Sequence, residues 1–204
     1  MAGPAARVPF VGLTGGLGAG KSTALSALAD LGAQTLSTDA VVHELLTSDE
    51  LRGEIVERLG EAVAGDDGLD RDAIAQRVFE SDPDREWLEG LLWPRVGRRV
   101  VQFRTEVEGT YPPPRAAVVE VPLLFEANME AAFDHTVAVV ADESVRAERA
   151  GERGHEGVEG RTGRQLTQRE KSQRADFTVR NDGSEAELKA ELASLLDSIE
   201  AKMP

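Results

Sequence analysis

Residues 15–22 satisfy the spacing Gly-x-x-x-x-Gly-Lys-Ser without a mismatch, and the full run reads Gly15-Gly16-Leu17-Gly18-Ala19-Gly20-Lys21-Ser22-Thr23. Ahead of it, residues 8–14 form a short apolar run expected to be a buried strand. Behind it, Ala24, Leu25, Leu28 and Leu31 recur at helical spacing until Gly32 stops the helix. A strand that turns through glycines into a helix has few options. Its backbone curls so that successive N–H groups converge, and the positive end of the helix lies at the same point. Such a turn cradles phosphate oxygens. In this reading Gly15, Gly16, Gly18, Ala19, Gly20 and Thr23 surround the phosphates of ATP, Lys21 reaches the β- and γ-phosphates, and the Ser22 hydroxyl ligates Mg²⁺.

The rest of the chain fits an α/β fold around that turn. Residues 33–37 can form a second strand, and residues 116–121 and 136–141 are apolar without alternation, as parallel strands covered on both faces are. Residues 48–108 read as mostly helical, with a turn at 65–68, an Asp82-Pro83 helix start and a break or kink at Pro94. Pro112-Pro113-Pro114 is a stiff connector. Ser184 with Glu187 forms a capping box ahead of Leu188, Leu192, Leu195, Leu196 and Ile199. The expected architecture is a P-loop NTPase-type parallel sheet core flanked by helices, with a helical substrate-binding insert and a lid. The core would comprise residues 1–38 and 115–204, and the insert residues 39–114.

Charge and composition exclude other classes. The 204 residues carry 23 basic and 37 acidic side chains, a net of −14, so a basic nucleic-acid face or an anionic membrane is a poor partner. The absence of cysteine removes thiolate catalysis, Cys-rich zinc sites and disulfides. No apolar stretch is long enough to span a bilayer, and the start MAGPAARVPF is not a secretory signal, so a cytoplasmic monomer or small homo-oligomer is expected. His43, His135 and His155 show no metal spacing. Charge is also uneven. Residues 39–92 hold 16 acids against 5 bases, whereas residues 144–174 hold 8 bases against 5 acids. The second segment reads either as a solvated helix with mixed pairs or as a site for a small anion.

No Asn-Lys-x-Asp element is present to read guanine, and the chain is short for a motor, so the open question is what accepts the phosphate. Asp39 lies just past the second strand, at the sheet edge that carries the phosphate turn. A carboxylate there can orient an attacking hydroxyl, or it can simply N-cap the next helix. Glu120 ends a buried strand and either binds a magnesium-bound water or stands near solvent as an ordinary strand-end acid.

These residues, with Gly68-Leu69-Asp70-Arg71, Val78-Phe79, Leu91-Leu92-Trp93-Pro94, Val121-Pro122-Leu123-Leu124-Phe125-Glu126, Arg149 and Arg153, Ala175-Asp176 and Asn181-Asp182-Gly183-Ser184, resemble dephospho-CoA kinase along nearly the whole chain. The resemblance implies ATP-dependent phosphorylation of the ribose 3′-hydroxyl of dephospho-CoA, the last step of coenzyme A synthesis. It implies a lid near 144–174 whose Arg149 and Arg153, one helical turn apart, stabilise the transferring phosphoryl group. It also implies that Asn181 and Gly183 lie near the adenine, and that Asp39, Arg71, Trp93, Pro122 and Leu123 contact the acceptor. Arg71 could equally stay at the surface. Two departures stand out: Ser37-Thr38-Asp39 where the family commonly has Asp-x-Asp, and Trp93 where many members have histidine. Other readings left open are another small-molecule or nucleoside monophosphate kinase, and an ATP-sensing switch with no acceptor. Asp39 and the paired arginines favour a kinase, because a sensor needs no residue aimed at an attacking hydroxyl.

Overall fold

The computed structural model describes residues 7–65, 68–152 and 165–202. It divides into two compact units, one of residues 1–37 and 103–204, the other of residues 38–102.

The first unit is built on five parallel strands, β1 (Phe10–Gly15), β2 (Gln34–Ser37), β5 (Ala117–Glu120), β6 (His135–Val140) and β7 (Phe177–Arg180), in the order β2-β5-β1-β6-β7. β1 lies in the middle and is buried along its whole length, which is why its residues other than Thr14 are apolar or glycine without alternation. The chain leaves β1 through α1 (Lys21–Asp30), passes over the β5 position to β2, and later returns to fill the gap. β1 therefore sits where the winding reverses, and the carboxyl ends of its neighbours open beside it.

One face of the sheet is covered by α1 and by α8 (Glu185–Glu200), whose Leu188, Leu192, Leu196 and Ile199 pack with Leu28, Leu13, Val118 and Val139. The expected capping box is present. Ser184 Oγ accepts the Glu187 N–H at 3.3 Å, and a Glu187 carboxylate oxygen accepts both the Ser184 N–H and its hydroxyl at 2.8 Å. α6 (Glu143–Glu152) follows β6, and α7 (Gln168–Arg174) precedes β7.

The second unit contains α2 (Thr38–Thr47), α3 (Asp49–Leu59), the two-residue strands β3 (Ala64–Gly65) and β4 (Gly68–Leu69), α4 (Arg71–Glu80) and the first part of α5 (Asp82–Glu108). Its core is Leu46, Leu51, Ile55, Leu59, Leu69, Ile74, Leu88, Leu91 and Leu92. Within it Asp84 is 6% exposed and is held by Arg58 at 3.1 Å and Arg77 at 3.0 Å, tying α3, α4 and α5 together.

The ends of the turn expected at 65–68, Gly65 and Gly68, pair with each other in the antiparallel β3–β4 register, and Asp66 and Asp67 lie outside the described residues. Two local expectations need correction. α5 is capped by Ser81, whose hydroxyl accepts the Asp84 N–H at 3.3 Å, rather than by Asp82. Pro94 does not end the helix, which runs through it for 27 residues. Proline removes one backbone donor and crowds the carbonyl four residues earlier. Here that residue is Gly90, which adds no side chain to the crowding, and burial of Leu88, Leu91, Leu92, Val96 and Val100 along one side outweighs the lost bond.

Candidate active site

The phosphate turn occupies the carboxyl end of β1 and leads directly into α1 at Lys21. Gly18 and Gly20 have φ of 74° and 84°, the left-handed region that favours glycine. Space excludes side chains as well. A Cβ on Gly18 would lie 2.6 Å from the Arg146 carbonyl oxygen, and one on Gly20 would lie 2.0 Å from Asn181 Nδ2. No acidic residue stands in the first turn of α1, so its positive end is left to act on a ligand.

Three carbonyls of the turn are engaged by side chains. Lys21 Nζ donates to the Gly16 carbonyl at 3.2 Å, Arg146 Nε to Leu17 at 2.9 Å, and Asn181 Nδ2 to Ala19 at 2.9 Å. Arg149 Nη1 in turn donates to the Asn181 carbonyl at 3.0 Å, so α6 and the end of β7 are linked around the turn. Arg149 thus lies beside the phosphate turn, while Arg153 falls outside the described residues. Arg146, one helical turn before Arg149, was not picked out by sequence reasoning because an arginine in a mixed-charge helix carries no signal of its own. Burial lowers its pKa, an effect partly offset by Glu143. Arginine remains a cation at neutral pH all the same.

Asn181 is buried, and its amide serves the turn itself. Gly183 has a structural duty too, since a Cβ there would lie 2.3 Å from the Glu187 carboxylate of the capping box. Between them, Asp182 accepts the Asp142 N–H and pairs with Arg180. Burial acts to raise the Asp182 pKa, but that hydrogen bond and the Arg180 cation together hold the carboxyl below its ordinary value.

Along the same sheet edge, β5 ends at Glu120, which is 7% exposed and stands in register with Leu13 and Ser37. In the run that follows, Val121, Leu124 and Phe125 are buried core residues, whereas Pro122 and Leu123 are half-buried. The Pro122 carbonyl accepts Thr14 Oγ1 at 3.1 Å and Lys171 Nζ at 2.5 Å. Lys171, on α7, is 2% exposed and pairs with Glu126 at 3.0 Å. Glu126 also accepts the Leu166 N–H at 2.9 Å. Sequence reasoning missed Lys171 because its partner lies 45 positions away, out of reach of any local pattern.

The remaining candidates belong to the second unit. Asp39 is exposed in the first turn of α2, which already includes Thr38, so it is not the N-cap of a helix starting at Ala40. Arg71 is the exposed first residue of α4, just after the N-cap Asp70, whose carboxylate accepts the Asp72 and Ala73 N–H groups at 3.0 Å. Trp93 is 37% exposed and lines a groove of about 260 Å³ with Val42, Val78, Leu88 and Leu92, flanked by Arg85 and Glu89.

Residues 9–187 match a family model described as dephospho-CoA kinase. A dephospho-CoA kinase from Chromobacterium violaceum is 37% identical over 191 residues, 91% of each chain. Among solved structures, a Thermus thermophilus protein superposes with a TM-score of 0.78 at 30% identity, covering 94% of this chain and 98% of its own. A dephospho-CoA kinase from Campylobacter jejuni does so with a TM-score of 0.66 at 22% identity over 94% and 97%, a likeness that speaks to the fold. With a family match over nearly its whole length and a phosphate turn built at the central strand, the chain belongs to the dephospho-CoA kinase family.

Proposed function

We propose that the chain transfers the terminal phosphoryl group of ATP to the ribose 3′-hydroxyl of dephospho-CoA, giving coenzyme A and ADP. The observation that carries this reading is the glycine turn at the end of β1, with Lys21, Arg146 and Arg149 gathered around it, in a chain of this family.

The N–H groups of the turn and of the first turn of α1 bind the phosphates. Lys21 exchanges the Gly16 carbonyl for phosphate oxygens when the nucleotide enters. Arg149, joined by Arg153, offsets the charge that develops as the phosphoryl group moves between oxygens. Asp39 accepts a hydrogen bond from the 3′-hydroxyl and orients it, taking its proton late in a loose transition state. Mg²⁺ fits the oxygen donors at hand. Among the described residues no group of three or more His, Cys, Asp or Glu could hold a metal, which suits a cation kept by nucleotide phosphates, water and the Ser22 hydroxyl, with Glu120 acting through water. When bound, it neutralises charge on the β- and γ-phosphates.

The helical second unit is the acceptor domain in this reading. Its groove takes the apolar pantetheine arm against Trp93, and Arg71 meets a phosphate of the acceptor. Pro122 and Leu123 line the acceptor side of the first unit; the lid that the resemblance implies near 144–174 includes residues 153–164, which lie outside the described residues. Asn181 and Gly183 lie near the adenine. The enzyme works in the cytoplasm as a monomer or small homo-oligomer, without nucleic acid. Among the described residues no helix is long and apolar enough to cross a membrane.

ADP release from Mg-ATP, with and without dephospho-CoA and with the product weighed by mass spectrometry, tests the reaction. Dephospho-CoA-dependent release with a gain of one phosphate supports it, and release indifferent to the acceptor ends it. Asp39→Asn is expected to bind Mg-ATP normally and lose about a hundredfold in turnover. Full turnover in that variant removes Asp39 from the mechanism.

A further inference from the structure

The phosphate turn is not held by its own sequence alone. A trans peptide places the carbonyl of one residue and the N–H of the next on opposite sides of the bond. A side chain that pulls a carbonyl of the turn one way therefore fixes the following N–H the other way. Arg146 Nε holds the Leu17 carbonyl at 2.9 Å, and Asn181 Nδ2 holds that of Ala19 at 2.9 Å. The N–H groups of Gly18 and Gly20 are set accordingly, and these are the two positions of the turn with left-handed backbone.

Arg146 does more than touch one atom. Its guanidinium lies flat enough on the turn that a Cβ on Gly16 would meet three of its atoms at 3.3 to 3.4 Å. Its own carbonyl lies 2.6 Å from where a Cβ on Gly18 would be. α6 therefore packs along residues 16–18, and the Arg149 bond to the Asn181 carbonyl closes the circuit back to Ala19.

We propose that Arg146 is a positioning residue of the nucleotide site: its Nε–H fixes the Leu17–Gly18 peptide so that the Gly18 N–H is set to receive a phosphate oxygen before the nucleotide arrives. This rests on the nucleotide-binding reading above and adds to it a residue whose contribution is the bond to the turn, not its charge. Preset donors cost no reorganisation when a ligand binds, so their loss appears as weaker phosphate binding. The donor atom makes the claim testable. In arginine Nε follows Cβ, Cγ and Cδ, and in glutamine the amide nitrogen follows the same three carbons. Arg146→Gln thus keeps a donor at the Nε position and deletes the cation.

The experiment is calorimetric titration of Mg-ATP into wild type, Arg146→Gln, Arg146→Met and Arg146→Ala, with steady-state constants for both substrates. Arg146→Ala and Arg146→Met are expected to bind Mg-ATP about ten- to a hundredfold more weakly, while Arg146→Gln stays within about threefold of wild type. The KM for dephospho-CoA should not move in any variant. If Arg146→Ala does not fold, Arg146→Met, which keeps the stem, decides the matter. Equal losses in Arg146→Gln and Arg146→Met would overturn the proposal by showing that the charge itself acts on the nucleotide. Wild-type affinity in Arg146→Met would overturn it by showing that the bond does nothing. A wild type that binds Mg-ATP and ignores dephospho-CoA retires the acceptor assignment instead, and the titrations still decide the role of Arg146.

Discussion

On the proposed reading, the phosphate turn and the groove of the helical unit hold two different substrates with opposite materials. The turn uses backbone N–H groups, made convergent by Gly18 and Gly20 and held by side chains on its outer carbonyls. The groove uses side-chain surface from α2, α4 and α5, namely Val42, Val78, Leu88, Leu92 and Trp93. Backbone donors at a helix end recognise an anion whatever it is attached to. An apolar groove recognises shape, so on the proposed reading it is the region that selects the acceptor. Common chemistry thus sits in a contiguous stretch of chain, and particular chemistry in residues scattered over some fifty positions.

The sharpest way to break that contrast is at Lys21. Lys21→Ala removes the cation at the transferring phosphate and is expected to cost about a thousandfold in turnover, whatever the acceptor. The single-turnover rate at saturating substrates measures it, and a variant that kept most of its rate would mean that the turn binds phosphate without helping to move it.

Asp84 tests the helical unit as a folded object. Asp84→Asn leaves Arg58 and Arg77 without their shared anion between α3, α4 and α5. Breaking a buried pair costs about 3–5 kcal/mol, but both arginines are about half exposed, so roughly 2–3 kcal/mol is expected. Urea unfolding reads this directly. A change under about 0.5 kcal/mol would place Asp84 among ordinary surface ion pairs.

Trp93 probes the groove alone. Trp93→Ala should raise the KM for dephospho-CoA about tenfold, the worth of a partly buried indole face, and leave the KM for ATP unchanged. Equal effects on both substrates would show that the groove is not specific to the acceptor.

What could be read from the sequence follows the same division. The turn, the strand before it and the α8 capping box were legible because each signal lies within a few residues of its own consequence. Arg146, Asp84 and the Lys171–Glu126 pair were not, because their meaning depends on partners 129, 26 and 45 positions away. The break that Pro94 suggested, as an alternative to a kink, misled for a related reason. The local effect of the proline is real, but the buried side of α5 that overrides it exists only once the helix is packed.

The smallest expected effect concerns the Ser184–Glu187 box, which starts the helix that covers the sheet. The Ser184 N–H and then its hydroxyl donate to the Glu187 carboxylate and lower its pKa in the folded chain. A carboxyl with a lowered folded pKa stabilises the protein above its unfolded pKa, about 4.3, and that contribution fades as pH falls through the folded value. Glu187→Gln keeps an acceptor but cannot titrate. Its Tm should lie slightly below that of wild type at pH 6, and the gap should close as both are taken below pH 4. Glu170 repeats the arrangement with Thr167 at the start of α7, and its carboxyl is lowered by the same kind of bonds. Glu170→Gln should therefore give a curve of the same shape, and the double variant should show the two gaps added. A gap that stayed constant from pH 6 to pH 3 would show that the caps act by shape and not by charge. Asp182, whose carboxyl is also held below its ordinary value, would then be the next carboxylate of that unit to titrate.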